Sequence, residues 1–185
     1  MITAITGTPG TGKTTVANIL SERGFAVYNL KNIAIQHGFI DGYDAERDSI
    51  IIDIDKLDNY ISKMNQKMVL IEGHLSHLLK NISYTIILRC HPRELRKRLE
   101  KKDWNEKKIL ENLQAEVLDV ILVETVEIHP SDTIFEIDTT NLKPRQVADI
   151  IAGIIDNGFI LEDRYKIGRI DWSEELLRDE DLWKE

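Results

Sequence analysis

Short apolar runs alternate with amphipathic segments along most of the chain. The apolar runs are typical of strands covered on both faces of a sheet, and they fall at residues 1–6, 25–28, 68–71, 84–88 and 133–137. The amphipathic segments predict helices at residues 13–23, 30–37, 55–66, 92–102, 109–125 and 143–156. This alternation predicts an α/β fold with a five-stranded parallel sheet.

Three segments depart from this alternation. Residues 39–49 are polar and rich in turn-forming types, and the apolar run at residues 49–54 is a strand or an extended segment. Residues 101–108 form a charged connector. The tail at residues 157–185 is too apolar for a disordered acidic tail, and a helix start is predicted at Ser173. We expect the tail to pack on the core, with dimerisation or docking of a basic partner as the alternatives.

Length and composition narrow the class of protein. With 185 residues, 42% of them hydrophobic, the chain is long enough for one domain with a substantial core. A net charge of −8 argues against a general surface for nucleic acid. Apolar runs stay short of the ~18–20 residues that span a bilayer, and the N-terminus lacks the basic start of a signal peptide. The single cysteine, Cys90, fits a reducing cytoplasm.

The strongest motif is GTPGTGKT at residues 7–14, a full match to the phosphate-binding pattern between a predicted strand and a predicted helix. Glycines allow successive backbone N–H groups to converge on an anion, and the following helix adds its positive end. Lys13 is expected to contact the β- and γ-phosphates, Thr14 to hold Mg²⁺, and Thr15 to reach the α-phosphate. The expected nucleotide-binding residues of the loop are Gly10, Gly12, Lys13, Thr14 and Thr15.

A second motif, LIEGHLSH at residues 70–77, follows another predicted strand. If that strand lies beside the first one, Glu72 emerges next to the triphosphate, where it would orient Mg²⁺ directly or through water. His74 could then polarise a water or contact a phosphate, which makes Lys13, Glu72 and His74 the candidate catalytic residues. The alternatives are a zinc site, or His74 as an ordinary loop residue, and His77 is interpreted as the flank of a short helix.

The phosphate loop GTPGTGKTT, the segment IDGYD, the element EGH and the stretch NEKKILENLQAEVLD together resemble the adenylate kinase isoenzyme 6 family, archaeal branch. The resemblance covers about residues 1–155. It implies a P-loop NTPase fold of three α/β/α layers, of the nucleoside monophosphate kinase type, with ATP and Mg²⁺ as cofactors. It also implies broad acceptance of monophosphates, ATPase activity, and a role in late maturation of the small ribosomal subunit through a basic platform ribosomal protein.

The family pattern divides the chain into segments. Residues 1–156 would form the kinase core, with the monophosphate-binding segment at about 30–53 and the lid at about 101–111. Residues 157–185 would be a C-terminal extension. The family begins its lid with arginine, glycine and an aromatic residue, whereas this chain has Lys102, Asp103 and Trp104. Lys102 is expected to contact ATP, but without the planar, bidentate guanidinium of arginine.

The acceptor side is poor in positive charge, because Lys31 and Arg47 are the only lysine or arginine residues between positions 30 and 55. Arg89, directly after an apolar strand, is the cation expected to reach the site from the sheet. A poor acceptor site fits slow or broad monophosphate phosphorylation, and it fits ATP hydrolysis equally well. We therefore keep a nucleotide-switched assembly factor as the alternative to a kinase, in a chain that is a monomer or a weak dimer.

Overall fold

The computed structural model describes residues 1–45, 49–178 and 183. Its strands are β1 (Ile2–Thr6), β2 (Val27–Asn29), β3 (Ile40–Asp44), β4 (Ser49–Ile52), β5 (Val69–Glu72), β6 (Tyr84–Arg89) and β7 (Ile134–Asp138). Its α-helices are α1 (Lys13–Glu22), α2 (Leu30–His37), α3 (Ile54–Ile61), α4 (Pro92–Glu100), α5 (Glu106–Val117), α6 (Val120–Ile128), α7 (Pro144–Asp156) and α8 (Glu175–Arg178). Among the described residues, no helix is both long and apolar enough to cross a bilayer.

Five strands form one parallel sheet in the order β2-β5-β1-β6-β7. The predicted parallel α/β fold is therefore confirmed. β1 lies at the centre, and all five of its residues are buried, as a strand covered on both faces requires. The carboxyl ends of β1 and β5 lie side by side, with Ile5 paired to Glu72. This edge is where an open α/β sheet gathers its functional groups.

Helices cover the sheet on both faces, which gives the three predicted layers. Alternate residues of β5 point to opposite faces, so Leu70 joins a core cluster with α1 and α7, while Val69 and Ile71 join another with α2 and α3. A third cluster packs α4 against α5 through Leu95 and Leu113. This last contact anchors the segment between α4 and α5 at the rim of the sheet.

The single helix predicted at residues 109–125 is wrong, because two helices stand there. α5 already begins at Glu106, since the side chain of Asn105 caps it and accepts a hydrogen bond from the backbone N–H of Lys108 at 2.8 Å. The break before α6 comes at Asp119, which takes a left-handed conformation with φ of 54°. Its carboxylate accepts a hydrogen bond from Arg89, so a distant partner stabilises a conformation that aspartate tolerates locally.

The turn-rich reading of residues 39–49 also needs correction. β3 and β4 form an antiparallel hairpin outside the main sheet, with Tyr43 paired to Ile50. Ile52, at the end of this hairpin, is buried in the α2 and α3 cluster, which attaches the hairpin to the core. Arg47, expected to serve the acceptor side, lies outside the described residues.

The C-terminal extension lies against the core over much of its length. Phe159 stacks on Tyr84 with ring centroids 4.0 Å apart, and Tyr165 packs against the α1 and α7 cluster. Trp183 packs against the third cluster. The helix start expected at Ser173 corresponds to the single turn of α8.

Candidate functional site

The loop between β1 and α1 has a backbone that only glycine allows at two points. Gly7 has φ of 139°, and a Cβ there would lie 2.3 Å from the carbonyl oxygen of Leu88. Gly10 has φ of 97°, and a Cβ would lie 2.8 Å from the Leu95 side chain. The loop is therefore held against β6 and α4 in a conformation that non-glycine residues would strain, and it leads into the amino end of α1.

Lys13 lies beneath this loop and is only 8% exposed. Its Nζ donates hydrogen bonds to the carbonyl oxygens of Gly7, at 2.6 Å, and Thr8, at 2.9 Å. Burial lowers the pKa of Lys13 to about 8, and Lys102 contributes to the lowering, whereas Glu72 opposes it. Since this pKa lies above neutrality, the ammonium form prevails at pH 7 and is available to a phosphate.

Glu72, the last residue of β5, turns its carboxylate towards the phosphate loop. It is 3% exposed, and its Oε2 lies 3.5 Å from the Thr14 hydroxyl. Its Oε1 accepts a hydrogen bond from the side-chain amide of Asn29. The strand that carries Glu72 is the immediate neighbour of β1, as the sequence interpretation required. Oε2 of Glu72 and the hydroxyl oxygen of Thr14 are therefore close enough to contact the same bound ion.

Both groups are suitable ligands for Mg²⁺, because this ion binds oxygen atoms. Its remaining coordination positions are filled by water and substrate phosphates. The hydroxyl of Thr14 and the carboxylate of Glu72 would hold the ion beside the ammonium of Lys13. In the part of the chain that the structure describes, no three His, Cys, Asp or Glu side chains are grouped as a metal site.

His74 lies two residues beyond Glu72 and lines the same cleft. Desolvation by the cleft walls lowers the pKa of His74 to about 4, and the positive charge of Lys13 adds to the effect. The imidazole is therefore neutral at physiological pH. A neutral ring has one donor and one acceptor nitrogen, so it can orient a water or a phosphate oxygen but adds no charge.

His77 has a different environment from His74. It lies in a 3₁₀ turn, Ser76–Leu78, and is buried. Its Nδ1 lies 3.0 Å from the Thr6 hydroxyl, and its Nε2 lies 2.8 Å from the Glu124 carboxylate. The side chain thus links the end of β1 to α6. This placement agrees with the interpretation of His77 as the flank of a short helix.

Two lysines and an indole line one side of the cleft: Lys102 and Trp104 lie between α4 and α5, and Lys108 lies in the first turn of α5. The Nζ of Lys102 lies 5.2 Å from the ring centroid of Trp104, and the Nζ of Lys108 lies 4.6 Å from it. Both distances are within the range of a cation–π contact. Asp103, with φ of 53°, turns the chain so that both neighbours line the cleft.

The expectation that Arg89 reaches the site is wrong. Its guanidinium is 2% exposed and donates hydrogen bonds to Glu116, Asp119 and Glu136 at the back of the phosphate loop. A guanidinium held by three carboxylates cannot also follow a transferring phosphate. Arg98, from α4, lines the cleft instead.

The segment expected to bind the monophosphate contributes the start of α2 and β4 to the cleft wall. Leu30, Lys31, Ser49 and Ile52 line it. His37, further along α2, stacks on Tyr60 with centroids 4.2 Å apart. Asn29 also lines the cleft and was not predicted from the sequence, although its position between a strand and a helix is a detectable capping signal.

One continuous cleft of about 1020 Å³ joins the phosphate loop, Glu72, His74 and the segment between α4 and α5. Apart from Arg89, the residues expected from the sequence to bind nucleotide or to act in catalysis line it, namely Gly10, Gly12, Lys13, Thr14, Thr15, Glu72, His74 and Lys102. Ligand pockets commonly measure about 300–1,000 Å³. The cleft is thus at the upper end of that range, with room for more than a single mononucleotide.

Comparison with known proteins identifies the family. A family model described as an AAA domain matches residues 4–119. A protein of Archaeoglobus fulgidus named "Putative adenylate kinase" is 47% identical over 95% of this chain and 94% of its own length. A protein of Methanothermobacter thermautotrophicus with the same name is 44% identical over 94% of this chain and 98% of its own.

Solved structures agree with the fold. Shikimate kinase from Acinetobacter baumannii, in complex with shikimate, has a TM-score of 0.59 and 19% identity over 86% of this chain and 95% of its own. TT1252 from Thermus thermophilus has a TM-score of 0.54 and 15% identity over 84% of this chain and 97% of its own. At such identities these two support the architecture alone. The relatives of high identity and the matched P-loop domain carry the assignment: the chain belongs to the archaeal adenylate kinase family that its motifs resemble.

Proposed function

We propose that the protein transfers the γ-phosphoryl group of ATP to a nucleoside monophosphate, and that it hydrolyses ATP when no acceptor is bound. One observation carries the proposal: the phosphate loop, the Glu72 carboxylate, the start of α2, Lys102 and the first turn of α5 all line a single cleft. A donor and an acceptor can therefore meet in one cleft, from which closure of the lid would exclude water, as phosphoryl transfer requires.

On the donor side, this chain supplies charge and fixed dipoles. The Lys13 ammonium would exchange its bonds to the Gly7 and Thr8 carbonyl oxygens for bonds to the β- and γ-phosphates. The loop N–H groups and the amino end of α1 would hold the remaining phosphate oxygens. When bound between Thr14 and Glu72, Mg²⁺ neutralises phosphate charge.

On the acceptor side and in the lid, the positive charge would come from lysines. Lys31 would attract the phosphate of the monophosphate, and Asn29 would hold the Glu72 carboxylate in position through its amide. Lys102 and Lys108 would approach the triphosphate from the opposite wall as the segment closes, while Trp104 excludes water. Residues 30–53 and 101–111 would thus serve as the monophosphate-binding segment and the lid.

The decisive experiment measures ADP formation from MgATP with and without a nucleoside monophosphate. We expect AMP to raise the rate at least about 10-fold above hydrolysis, because an oriented phosphate oxygen of the acceptor outcompetes water in a closed site. Parallel assays with GMP, CMP and UMP would measure how broad the acceptance is. A rate that none of the four monophosphates raises above hydrolysis would exclude the kinase.

The alternative is a nucleotide-switched assembly factor, which the net charge of −8 and the few acceptor-side cations favour. Under that alternative MgATP binds tightly, AMP has no effect, and a basic partner protein binds only one nucleotide state. A role in maturation of the small ribosomal subunit, through a basic ribosomal protein, stays a prediction from the family resemblance.

Replacing His74 with alanine should separate hydrolysis from ATP binding. The neutral imidazole lines the cleft next to the phosphate-loop lysine, where it can orient an attacking water. We expect ATP hydrolysis to fall by about 10-fold or more, while the affinity for MgATP changes little. Because the pKa of His74 is lowered to about 4 in the nucleotide-free protein, an NMR titration of that form should show no step near pH 6.5 from this residue. Wild-type hydrolysis by His74→Ala would contradict this role.

A further inference from the structure

A buried cluster of charges lies directly behind the phosphate loop, outside the cleft. Arg89 is its centre, and its Nε donates to Glu116 at 2.8 Å while its Nη1 donates to Glu136 at 2.5 Å. Asp119 accepts a third hydrogen bond from the guanidinium. One positive charge therefore faces three carboxylates, and Arg89, Glu116 and Glu136 are each no more than 2% exposed.

The excess negative charge needs further hydrogen-bond donors, because a buried carboxylate without them is costly. Two of these donors come from the C-terminal extension. The indole N–H of Trp172 donates to Oε1 of Glu116 at 3.3 Å, and the backbone N–H of Gly168 donates to Oε2 of Glu136 at 2.8 Å. The extension thus completes the solvation of a cluster that belongs to the core.

The same cluster reaches the phosphate loop through Thr8. The Thr8 hydroxyl donates to Oε2 of Glu116, and Thr8 is buried. The carbonyl oxygen of Thr8 accepts a hydrogen bond from Nζ of Lys13 at 2.9 Å. Three consecutive contacts therefore connect the indole of Trp172 to the lysine of the phosphate loop, by way of Glu116 and Thr8.

We propose that Trp172 is a positioning residue of the phosphate loop, which acts through the Glu116 carboxylate on Thr8. The extension is then part of the nucleotide-binding unit. In its absence Glu116 has one donor fewer and holds Thr8 in a less defined position. This inference rests on the proposed function only in requiring that the loop bind ATP.

The first test compares two tryptophan substitutions in the full-length chain. Trp172→Phe removes the N–H donated to Glu116 but keeps an aromatic ring at the position where the indole contacts His91 edge-on. Trp183→Phe is the matched control, because its indole N–H donates at 3.2 Å to the backbone oxygen of Glu175, outside the cluster. MgATP affinity is measured by calorimetry, and thermal unfolding is measured for both variants.

We expect Trp172→Phe to bind MgATP about 3- to 10-fold more weakly, which is less than the full value of a hydrogen bond to a charged group because only part of the loss is transmitted through Glu116 to the loop, and Trp183→Phe to stay within about 2-fold of wild type. A double-mutant cycle with Thr8→Val tests whether the effect passes through Thr8. If it does, the double variant Thr8→Val/Trp172→Phe loses less affinity for MgATP than the product of the fold-losses of the two single variants. Equal affinities of the two Phe variants, or full additivity in the cycle, would overturn the proposal.

A second measurement needs no variant that alters the cluster. The chain has three tryptophans, so its indole N–H groups give three NMR signals, which Trp104→Phe and Trp183→Phe assign by elimination. On addition of MgATP we expect the signals of Trp104 and Trp172 to shift, and that of Trp183 to stay. A shift of Trp104 alone refutes the positioning role but leaves the proposed function intact. If no signal shifts although calorimetry detects MgATP binding, this inference fails alone; if calorimetry also detects no binding, the proposed function fails with it.

Discussion

Replacing Lys13 with alanine is expected to reduce phosphoryl transfer by about 10²- to 10³-fold, which corresponds to about 2.7–4 kcal/mol of lost transition-state stabilisation. The Lys13 ammonium is the buried cation of the phosphate loop, with its Nζ within 3 Å of two loop carbonyl oxygens. Charge that is fixed in a dry site stabilises the transferring group without reorganisation. The measurement is kcat/KM for ATP at saturating AMP, and ATP hydrolysis should fall in parallel.

The control for this substitution is another lysine of this chain. Lys80 is exposed and forms an ion pair with Asp55 at 2.9 Å, away from the cleft. Lys80→Ala should leave kcat/KM within about 2-fold of wild type, since exposed ion pairs contribute little. Lys13→Met keeps most of the apolar stem, so it separates loss of charge from loss of packing. Transfer at more than a tenth of the wild-type rate in Lys13→Met would contradict the proposed role of the ammonium.

Hydrophobic pattern was enough to predict the sheet and most helices, because each of those elements buries a face of its own. β1 is buried at every position, and α2 ends where its predicted range ends, at His37 before a glycine. β3 was missed for the opposite reason, whereas β4 lies within the apolar run predicted as a strand or an extended segment. Ile40 and Tyr43 of β3 are largely exposed, so this strand lacks the apolar signal of a covered strand.

The break between α5 and α6 could not be read from local sequence. The segment around Asp119 continues an apolar pattern at helical spacing, and aspartate is not a strong helix breaker. The left-handed turn is stabilised by the hydrogen bond from Arg89, which lies 30 residues earlier in the chain. A contact between residues this far apart in the sequence can be identified only in the folded structure, where β6 lies next to α5.

The same distinction applies to the candidate site. The phosphate loop is a local motif, so Lys13 and Thr14 could be placed from spacing alone. The prediction for Glu72 needed one further assumption, that β5 lies next to β1, and the register confirms that assumption. Arg89 was misassigned because its position at the end of a strand does not indicate which side chains it contacts. Three carboxylates from α5, β7 and the turn before α6 draw its side chain away from the cleft.

Replacing Glu72 with glutamine is expected to give the second largest effect, a fall of about 10²-fold in transfer together with a weaker response to Mg²⁺. Glutamine preserves the length of the side chain and can still accept the hydrogen bond from Asn29, so the fold around α2 should persist. The carboxylate charge next to the Thr14 hydroxyl is lost. The concentration of Mg²⁺ that gives half-maximal rate should rise about 10-fold at fixed ATP.

Glu124→Gln is the matched control, because Glu124 is another carboxylate in the wall of the same cleft but its partner is His77. It should leave the response to Mg²⁺ unchanged, which separates a specific effect of Glu72 from a general loss of negative charge in the cleft. Calorimetric titration of Mg²⁺ into each protein–ATP mixture measures ion binding without turnover. If Glu72→Gln and Glu124→Gln give the same Mg²⁺ response, the carboxylate at the end of β5 does not position the metal, and Thr14 must do so with the phosphates and water alone.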